Sequence, residues 1–251
     1  LYVLRAPYPG RLEQTRTLSC HVGGAEANVA IGVTRLGWSA ALVSKVTDNF
    51  IGRFTVNGVR GAGVDVSQVI RTDAGRMGLL FQELGVPPRP TESVNDRLHS
   101  AFARLAPEEV DWTHLRAAER LFVSGVTAAL GERPRQLVRR AVEEAKSAGL
   151  QVVIDCNHRA RLWSTDEARA FLMPLLEDVD VLFLKADEAW SILGLAGEPT
   201  EIVEQLRGDH GIEIVVLSLG SDGVIASDGA PVHAPAIRTQ IVNRFGMGDA
   251  F

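Results

Sequence analysis

The sequence predicts an α/β protein: a three-layer arrangement of helices around a mostly parallel central sheet, with a small second β layer beside it. Three observations carry this. From about residue 105 onward, short apolar runs alternate with amphipathic runs of helical length, the order that parallel sheets with helical crossovers require. The apolar runs are near-continuous (Arg120 to Val123, Gln151 to Ile154, Val179 to Leu184, Ile212 to Ser218), as strands buried on both faces are. Before residue 105, strand-like runs are broken by Gly85-Val86-Pro87-Pro88-Arg89-Pro90, which neither a helix nor a central strand accepts.

Taken in order, Leu1 to Leu4 reads as a strand, Tyr8-Pro9-Gly10 as a turn and Arg16 to Val22 as extended chain. Val29, Val33 and Leu36 lie at helical spacing and Gly37 ends that helix, so Gly23-Gly24 stands at its entry. Ala40 to Val46 is a strand, and Asp48 or Asn49 caps a helix that ends near Gly61. Val66 to Arg71, Met77 to Glu83 and Ser93 to Arg97 read as strands, the last two joined by the proline-rich loop. Further on, Pro134 to Ser147 is a helix with Leu137, Ala141 and Ala145 on one face. Ser164-Thr165-Asp166-Glu167 has the spacing of a capping box and opens a helix through Leu176. Ala186 to Leu193 and Pro199 to Arg207 are helices, and Gly223 to Ser227 with Pro231 to Ala234 form a hairpin across Asp228-Gly229.

Composition narrows the function. The chain has 251 residues, 46% hydrophobic and 23% charged, with net charge −5, the profile of a globular α/β protein. No basic tract points to nucleic acid or an anionic membrane, and no apolar run is long enough to span a bilayer. Two cysteines, Cys20 and Cys156, make neither a disulfide framework nor a metal cluster, so a reducing cytoplasm is expected.

The chemistry gathers at the end. An apolar run from Thr239 to Val242 leads through Asn243-Arg244-Phe245 into Gly246-Met247-Gly248-Asp249. That order reads as strand, tight turn, helix start. Helix starts point unpaired N–H groups outward and carry partial positive charge, and glycines let an anion approach them. A carboxylate there takes a proton from a hydroxyl. Anion cradle plus base is what phosphoryl transfer to an alcohol needs, although Gly-x-Gly is also ordinary turn material. Ser124, Asp155 to Arg159, Lys185 to Glu188, Gly220 to Gly223 and Gly246 to Asp249 all follow strands, and parallel sheets bind ligands at the carboxyl ends of their strands. A helix of ordinary length needs about 10–14 residues, so the stop at Phe251, like the start at Leu1, reads as truncation.

Two stretches together resemble the signatures of the ribokinase-like (PfkB) carbohydrate kinases: Gly23-Gly24-Ala25-Glu26-Ala27-Asn28-Val29-Ala30 and Gly246-Met247-Gly248-Asp249-Ala250-Phe251. His21 to Ala30, Asp96 to Ala101 and Asp155 to Trp163 resemble the 2-keto-3-deoxygluconate kinase branch. The resemblance implies one kinase domain over residues 1–251, truncated at both ends, with lid segments at about 8–22 and 66–98. It implies transfer of the ATP γ-phosphate, with Mg²⁺, to the terminal hydroxyl of 2-keto-3-deoxygluconate. Asp249 is then the base, the backbone N–H groups of Gly246, Met247 and Gly248 the anion hole, and Glu188 the residue that organises Mg²⁺. Gly23, Gly24 and Asn28 border the sugar, Arg97 and Arg159 face it, and Ser218, Gly220, Gly223 and Lys185 border the nucleotide. Paired arginines suit a sugar carboxylate.

The sequence departs from the family pattern at Asn243, Met247 and Lys185, and at Leu80 and Asn95, where related sugar-acid kinases tend to have tyrosines. Another sugar of the fructose or ribose kind, or a non-catalytic binding relative, remains an alternative at this stage. No Gly-x-Gly-x-x-Gly follows an early strand, which argues against a NAD-dependent dehydrogenase. The apolar lid residues Val66, Val69, Leu79 and Phe81 would permit a homo-oligomer through the lid, or would equally serve as core on one face.

Overall fold

The computed structural model describes residues 1–8, 10–85, 88–239 and 246–251. The chain divides into two compact units, Leu1–Val110 with Ile241–Phe251, and Asp111–Gln240.

In the first unit, strands β1 (Tyr2–Arg5) and β2 (Ser19–Val22) precede helix α1 (Ala25–Arg35), and β3 (Ser44–Thr47) precedes α2 (Phe50–Gly61). Strands β4 (Val69–Thr72), β5 (Leu79–Glu83) and β6 (Glu92–Asp96) follow. Asn49, not Asp48, caps α2: its side-chain oxygen accepts from the N–H groups of Ile51 and Gly52 at 3.0 and 3.1 Å. Four strands make one sheet in the order β2-β1-β5-β6, with Val3 opposite both His21 and Leu80, and Leu80 opposite Asn95.

One expectation changes here, and one open alternative is decided. The strand expected from Val66 to Arg71 does not join that sheet; β4 pairs in parallel with β3 as a separate two-stranded sheet, and β1 takes a place inside the four-stranded one. The cause is burial: Val66, Val69 and Leu79 pack against a core of Val46, Val56 and Met77. Those three are therefore not spare lid surface, whereas Phe81 lines an open groove of about 460 Å³ with Leu12, Leu18 and Val94. Helix α1 forms as the spacing of Val29 and Val33 predicts. Its alanines Ala27 and Ala30 enter the core with Val59 and Val64, and Leu36 is 79% exposed just past the helix end.

The second unit runs α3 (Trp112–Arg116), β7 (Arg120–Ser124), α4 (Gly125–Ala128), α5 (Glu132–Ser147), β8 (Gln151–Asp155), α6 (Thr165–Leu172) and β9 (Val181–Lys185). It continues with α7 (Ala186–Glu188), which passes into a π turn over Ala189–Leu193, then α8 (Pro199–His210), β10 (Ile214–Ser218), β11 (Val224–Ser227) and β12 (Val232–Ala234). The six strands form one sheet, β12-β11-β10-β9-β8-β7. Strands β7 to β10 are parallel, and β10 through β12 antiparallel.

One row of strand side chains, from Val123, Val152, Ile154, Leu182, Leu184, Val215 and Leu217, joins a single core. The helices complete it with Val138, Val142, Ala168, Phe171, Val203 and Leu206. Burying each such side chain contributes about 1.5–3 kcal/mol, so this row holds the strand ends in register. The Ser164–Glu167 capping box forms as its spacing predicts: Glu167 N–H donates to Ser164 Oγ, and Ser164 N–H to Glu167 Oε2. The α helix stops at Leu172, and Met173–Asp178 tightens into 3₁₀ geometry.

The chain closes with α9 (Met247–Ala250). Gln240 to Phe245, including Asn243 and most of the apolar run expected before the turn, lie outside the described residues. Among the described residues no helix is long and apolar enough to cross a membrane.

Candidate active site

In the first unit, the glycine pair and the C-terminal turn meet. Gly24 caps α1 with φ 132°, a backbone conformation that suits glycine. A Cβ on Gly23 would stand 2.8 Å from a Val3 methyl. One turn into α1, Asn28 Nδ2 donates to Asp249 Oδ2 at 2.7 Å, while Gly246 caps α9 with φ 75°. The structure thus joins Asn28 to Asp249 across 221 residues of sequence. The amide fixes one carboxylate oxygen and leaves the other to accept a proton. The first N–H groups of α9, on Met247, Gly248 and Asp249, have no carbonyl to take within their own helix. The Met247 side chain is 51% exposed.

The register of the four-stranded sheet sorts its side chains by charge. Leu80 and Asn95 share a face with Val3 and His21, and the next row on that face holds Ser19, Arg5, Gln82 and Ser93. Arg5 donates through Nε and Nη2 to Gln82 Oε1 at 3.2 and 3.0 Å. Partial burial, and then the charge of Arg5, hold the His21 imidazole below its ordinary pKa, so it is mostly neutral at pH 7. The acidic strand residues Glu83, Glu92 and Asp96 fall on the opposite face. Arg97 lies just beyond β6, so close to Gly78 that a Cβ there would come within 3.0 Å of Arg97 Cβ. Arg76 holds this end of the strand by donating to the backbone oxygens of Asp96 and Leu98 at 2.8 and 3.0 Å. Sequence reasoning named Arg97 but missed Arg5, His21 and Gln82; only the pairing of β1 with β2 and β5 puts them on one face.

In the second unit, Ser124, Asp155, Lys185 and Ser218 end four adjacent parallel strands. Asp155 holds the loop after β8: its two oxygens accept from the Asn157 N–H and the Asn157 Nδ2, each at 3.0 Å. Asn157 is 5% exposed and sits at φ 37°, the left-handed region that asparagine tolerates better than most residues. Glu188, 4% exposed, accepts from the Lys185 N–H at 2.9 Å and from the His158 N–H at 2.7 Å. The Lys185 ammonium lies 3.6 Å from it. Burial, and then the charges of Glu188 and Asp155, push the Cys156 thiol well up, so it stays protonated and inert. Arg159 is exposed on this loop, and its guanidinium has no hydrogen bond or ion pair among the described residues.

Beyond β10, Gly220 and Gly223 adopt φ 63° and 104°. A Cβ on Gly223 would fall 2.1 Å from Ala234 O, so the hairpin itself already demands that glycine.

Each Glu188 oxygen accepts one backbone N–H and keeps a further acceptor site, and Mg²⁺ is commonly met by one or two carboxylates together with substrate phosphates. Among the described residues no group of three or more His, Cys, Asp or Glu side chains could hold a metal.

The model for the pfkB family carbohydrate kinases matches residues 2–251. The chain belongs to this family. Among curated relatives, the 2-dehydro-3-deoxygalactonokinase of Haloferax volcanii is 35% identical over 249 residues, covering 99% of this chain and 78% of that one. The 5-dehydro-2-deoxygluconokinase of Shouchella clausii is 33% identical over 251 residues, covering 98% and 76%. The crystal structure of a 2-dehydro-3-deoxygluconokinase from Thermotoga maritima superposes with a TM-score of 0.94 at 30% identity, covering 99% of this chain and 80% of that one. The ribokinase-like fold of the pfkB kinases is therefore the fold of this chain.

Proposed function

We propose that this pfkB kinase transfers the γ-phosphate of ATP to the terminal hydroxyl of 2-keto-3-deoxygluconate. The observation that carries the reading is the 2.7 Å hydrogen bond from Asn28 to Asp249, which orients a carboxylate at the glycine turn. In the proposed step Asp249 takes the hydroxyl proton and the hydroxyl oxygen bonds to the γ-phosphorus. The bond from that phosphorus to the β-phosphate bridging oxygen breaks, and ADP leaves with that oxygen's electron pair. The N–H groups of Gly246, Met247 and Gly248 stabilise charge on the transferred group, as preorganised donors do. Gly23, Gly24 and Asn28 border the sugar, and Arg97 and Arg159 meet its carboxylate. Ser218, Gly220, Gly223 and Lys185 border the nucleotide. Mg²⁺ would arrive on the nucleotide phosphates, its usual mode in phosphoryl-transfer enzymes, with Glu188 helping to organise it there. Residues 1–251 act as one kinase domain.

The sugar-acid reading is supported by the names of the three relatives, each a kinase of a keto-deoxy aldonate, and by the segregation of Arg5 and His21 from the sheet's acidic residues. The 35% identity to the galactonate kinase favours a second reading, the epimeric 2-keto-3-deoxygalactonate.

The test is ADP release with the two keto-deoxy acids, fructose and ribose offered in parallel. Turnover selective for either acid supports the arginine assignment, and the preferred epimer decides between the two readings. Turnover with a neutral sugar alone rejects both.

A further inference from the structure

We infer that Arg5, positioned by Gln82, is a specificity-determining residue that meets the carboxylate of the acceptor from the four-stranded sheet. The inference rests on the sugar-acid reading proposed above and names a residue of the first unit that enforces it.

The two faces of that sheet are built differently. On one, Val22 and Leu79 join the small cores of the unit, and Phe81 and Val94 line the groove. A sheet with one packed face usually turns polar residues to water on the other. Here the centre of the other face is buried as well: Val3 is 4% exposed and Gln82 5%. Ser19, His21, Ser93 and Asn95 flank them in the same two rows.

A buried amide needs hydrogen-bond partners to offset its lost solvation. Gln82 Oε1 takes two from Arg5, Nε at 3.2 Å and Nη2 at 3.0 Å. A guanidinium is a rigid planar fork, so one oxygen that accepts from both nitrogens fixes its plane and direction. The acidic strand residues Glu83, Glu92 and Asp96 stand on the opposite face. Register thus gathers one oriented cation and several neutral polar groups on a single face, the composition that suits an anionic, hydroxyl-bearing ligand.

The same face abuts the turn that leads to the proposed base. A Cβ on Gly23 would stand 2.8 Å from a Val3 methyl, and the helix that Gly23 enters carries Asn28, which holds Asp249. By alternation, Gly78 and Arg97 continue the face on the near side of Val3. Arg5 lies two residues beyond Val3, about 7 Å further along the strand. A keto-deoxy aldonate carries its terminal hydroxyl and its carboxylate at opposite ends. With the hydroxyl at Asp249, the carboxylate end comes to the row that holds Arg5, where charge-assisted N–H bonds meet it.

A purely structural cross-strand pair and a carboxylate-reading pair predict different ligand preferences. The probes are the two epimeric keto-deoxy acids and their primary amides, which keep the shape and remove the charge. Each is titrated calorimetrically into the protein without nucleotide. Wild type prefers an acid to its amide. In Arg5→Met the acid-to-amide affinity ratio falls about tenfold or more, the loss of a bond between charged groups. Affinity for the amide stays within about threefold, because the cycle isolates the term between carboxylate and guanidinium. Arg5→Gln, which can keep a hydrogen bond to Gln82, lowers the ratio as well and serves if the methionine variant does not fold. Gln82→Met lowers it about threefold or more by releasing the oriented guanidinium. It adds nothing to Arg5→Met, since a residue acting through another is silent once that other is gone.

Equal loss of affinity for acid and amide marks a structural pair and overturns the inference. A Gln82→Met effect that adds to that of Arg5→Met overturns the positioning role. If wild type prefers neither acid to its amide, the sugar-acid reading fails and the inference with it. If wild type has the preference and both Arg5 variants keep it, the inference fails alone.

Discussion

Arg159 stands on a loop fixed by bonds from within its own unit, to Asp155, Glu188 and the buried Trp163. Asp249 stands on a four-residue helix, and the bond to its side chain comes from an asparagine 221 residues earlier. The first arrangement resists local change, because several contacts each hold part of the loop. The second depends on one long-range hydrogen bond and on two glycine turns that let the helix starts approach. The binding role proposed for Arg159 tolerates a fixed loop. The base role proposed for Asp249 needs one free oxygen, and a single donor on the other oxygen leaves it.

The contrast breaks most sharply at Asp249. Asp249→Asn keeps the side chain's size but removes the proposed base, so kcat is expected to fall about 10²–10⁴-fold while the melting temperature hardly moves. ADP-release kinetics beside a thermal melt check both halves, and retained turnover removes Asp249 from the mechanism.

Gly125→Ala tests the fixed loop from below. The new Cβ would lie 2.1 Å from Cys156 O, and backbone cannot yield as a side-chain tip does. Stability falls by about 3 kcal/mol, the upper part of the overpacking range, and a urea titration reads it. A neutral outcome would show that the loop is softer than its contacts imply.

At the other region, Asn28→Ala removes the donor and leaves the Asp249 carboxylate. A hydrogen bond to a charged group is worth about 1.5–3 kcal/mol, so kcat drops about tenfold or more with little change in unfolding midpoint. An equal loss of kcat and stability would mean that Asn28 supports the fold rather than the carboxylate.

The smallest effect lies away from both regions and provides the control. The hydrogen bond from Arg116, followed by the charges of Arg116 and Arg140, holds the Glu144 carboxyl below its ordinary pKa. A carboxyl depressed in the folded state stabilises it above the unfolded pKa, and that stability is lost as pH falls through the folded value. Arg116→Ala therefore lowers stability at neutral pH slightly and flattens its fall in acid, leaving the kinetics unchanged. Melts between about pH 3 and pH 7, across the carboxylate range, check this.

What could be read in advance follows the range of the interactions. The Ser164–Glu167 box is local, and it forms where the spacing put it. The strands from Arg120 to Ala234 are near-continuous apolar runs set between helices, a pattern that leaves one architecture. The order of the small sheet was less accessible. Whether β4 pairs with β3 or with the lid depends on which core Val66 and Val69 enter, and both runs look alike as sequence. The face that α1 buries, through Ala27 and Ala30, was not legible because alanines carry little hydrophobic signal. Asn157 offered a hint, since asparagine is the side chain best suited to left-handed backbone. Its carboxylate partner two residues earlier was visible as well.

By itself the sequence determined the architecture, the two glycine signatures and the presence of Asp249, because periodicity, capping and turn chemistry act over a few residues. The tertiary structure decided that Asn28 is the residue that holds Asp249, that Arg5, His21 and Gln82 share a face with Leu80 and Asn95, and that Glu188 serves two backbone N–H groups. These depend on strand register and on the meeting of segments far apart in the chain. No local preference encodes such contacts; they follow from which arrangement buries the apolar rows and leaves the fewest buried polar groups without partners.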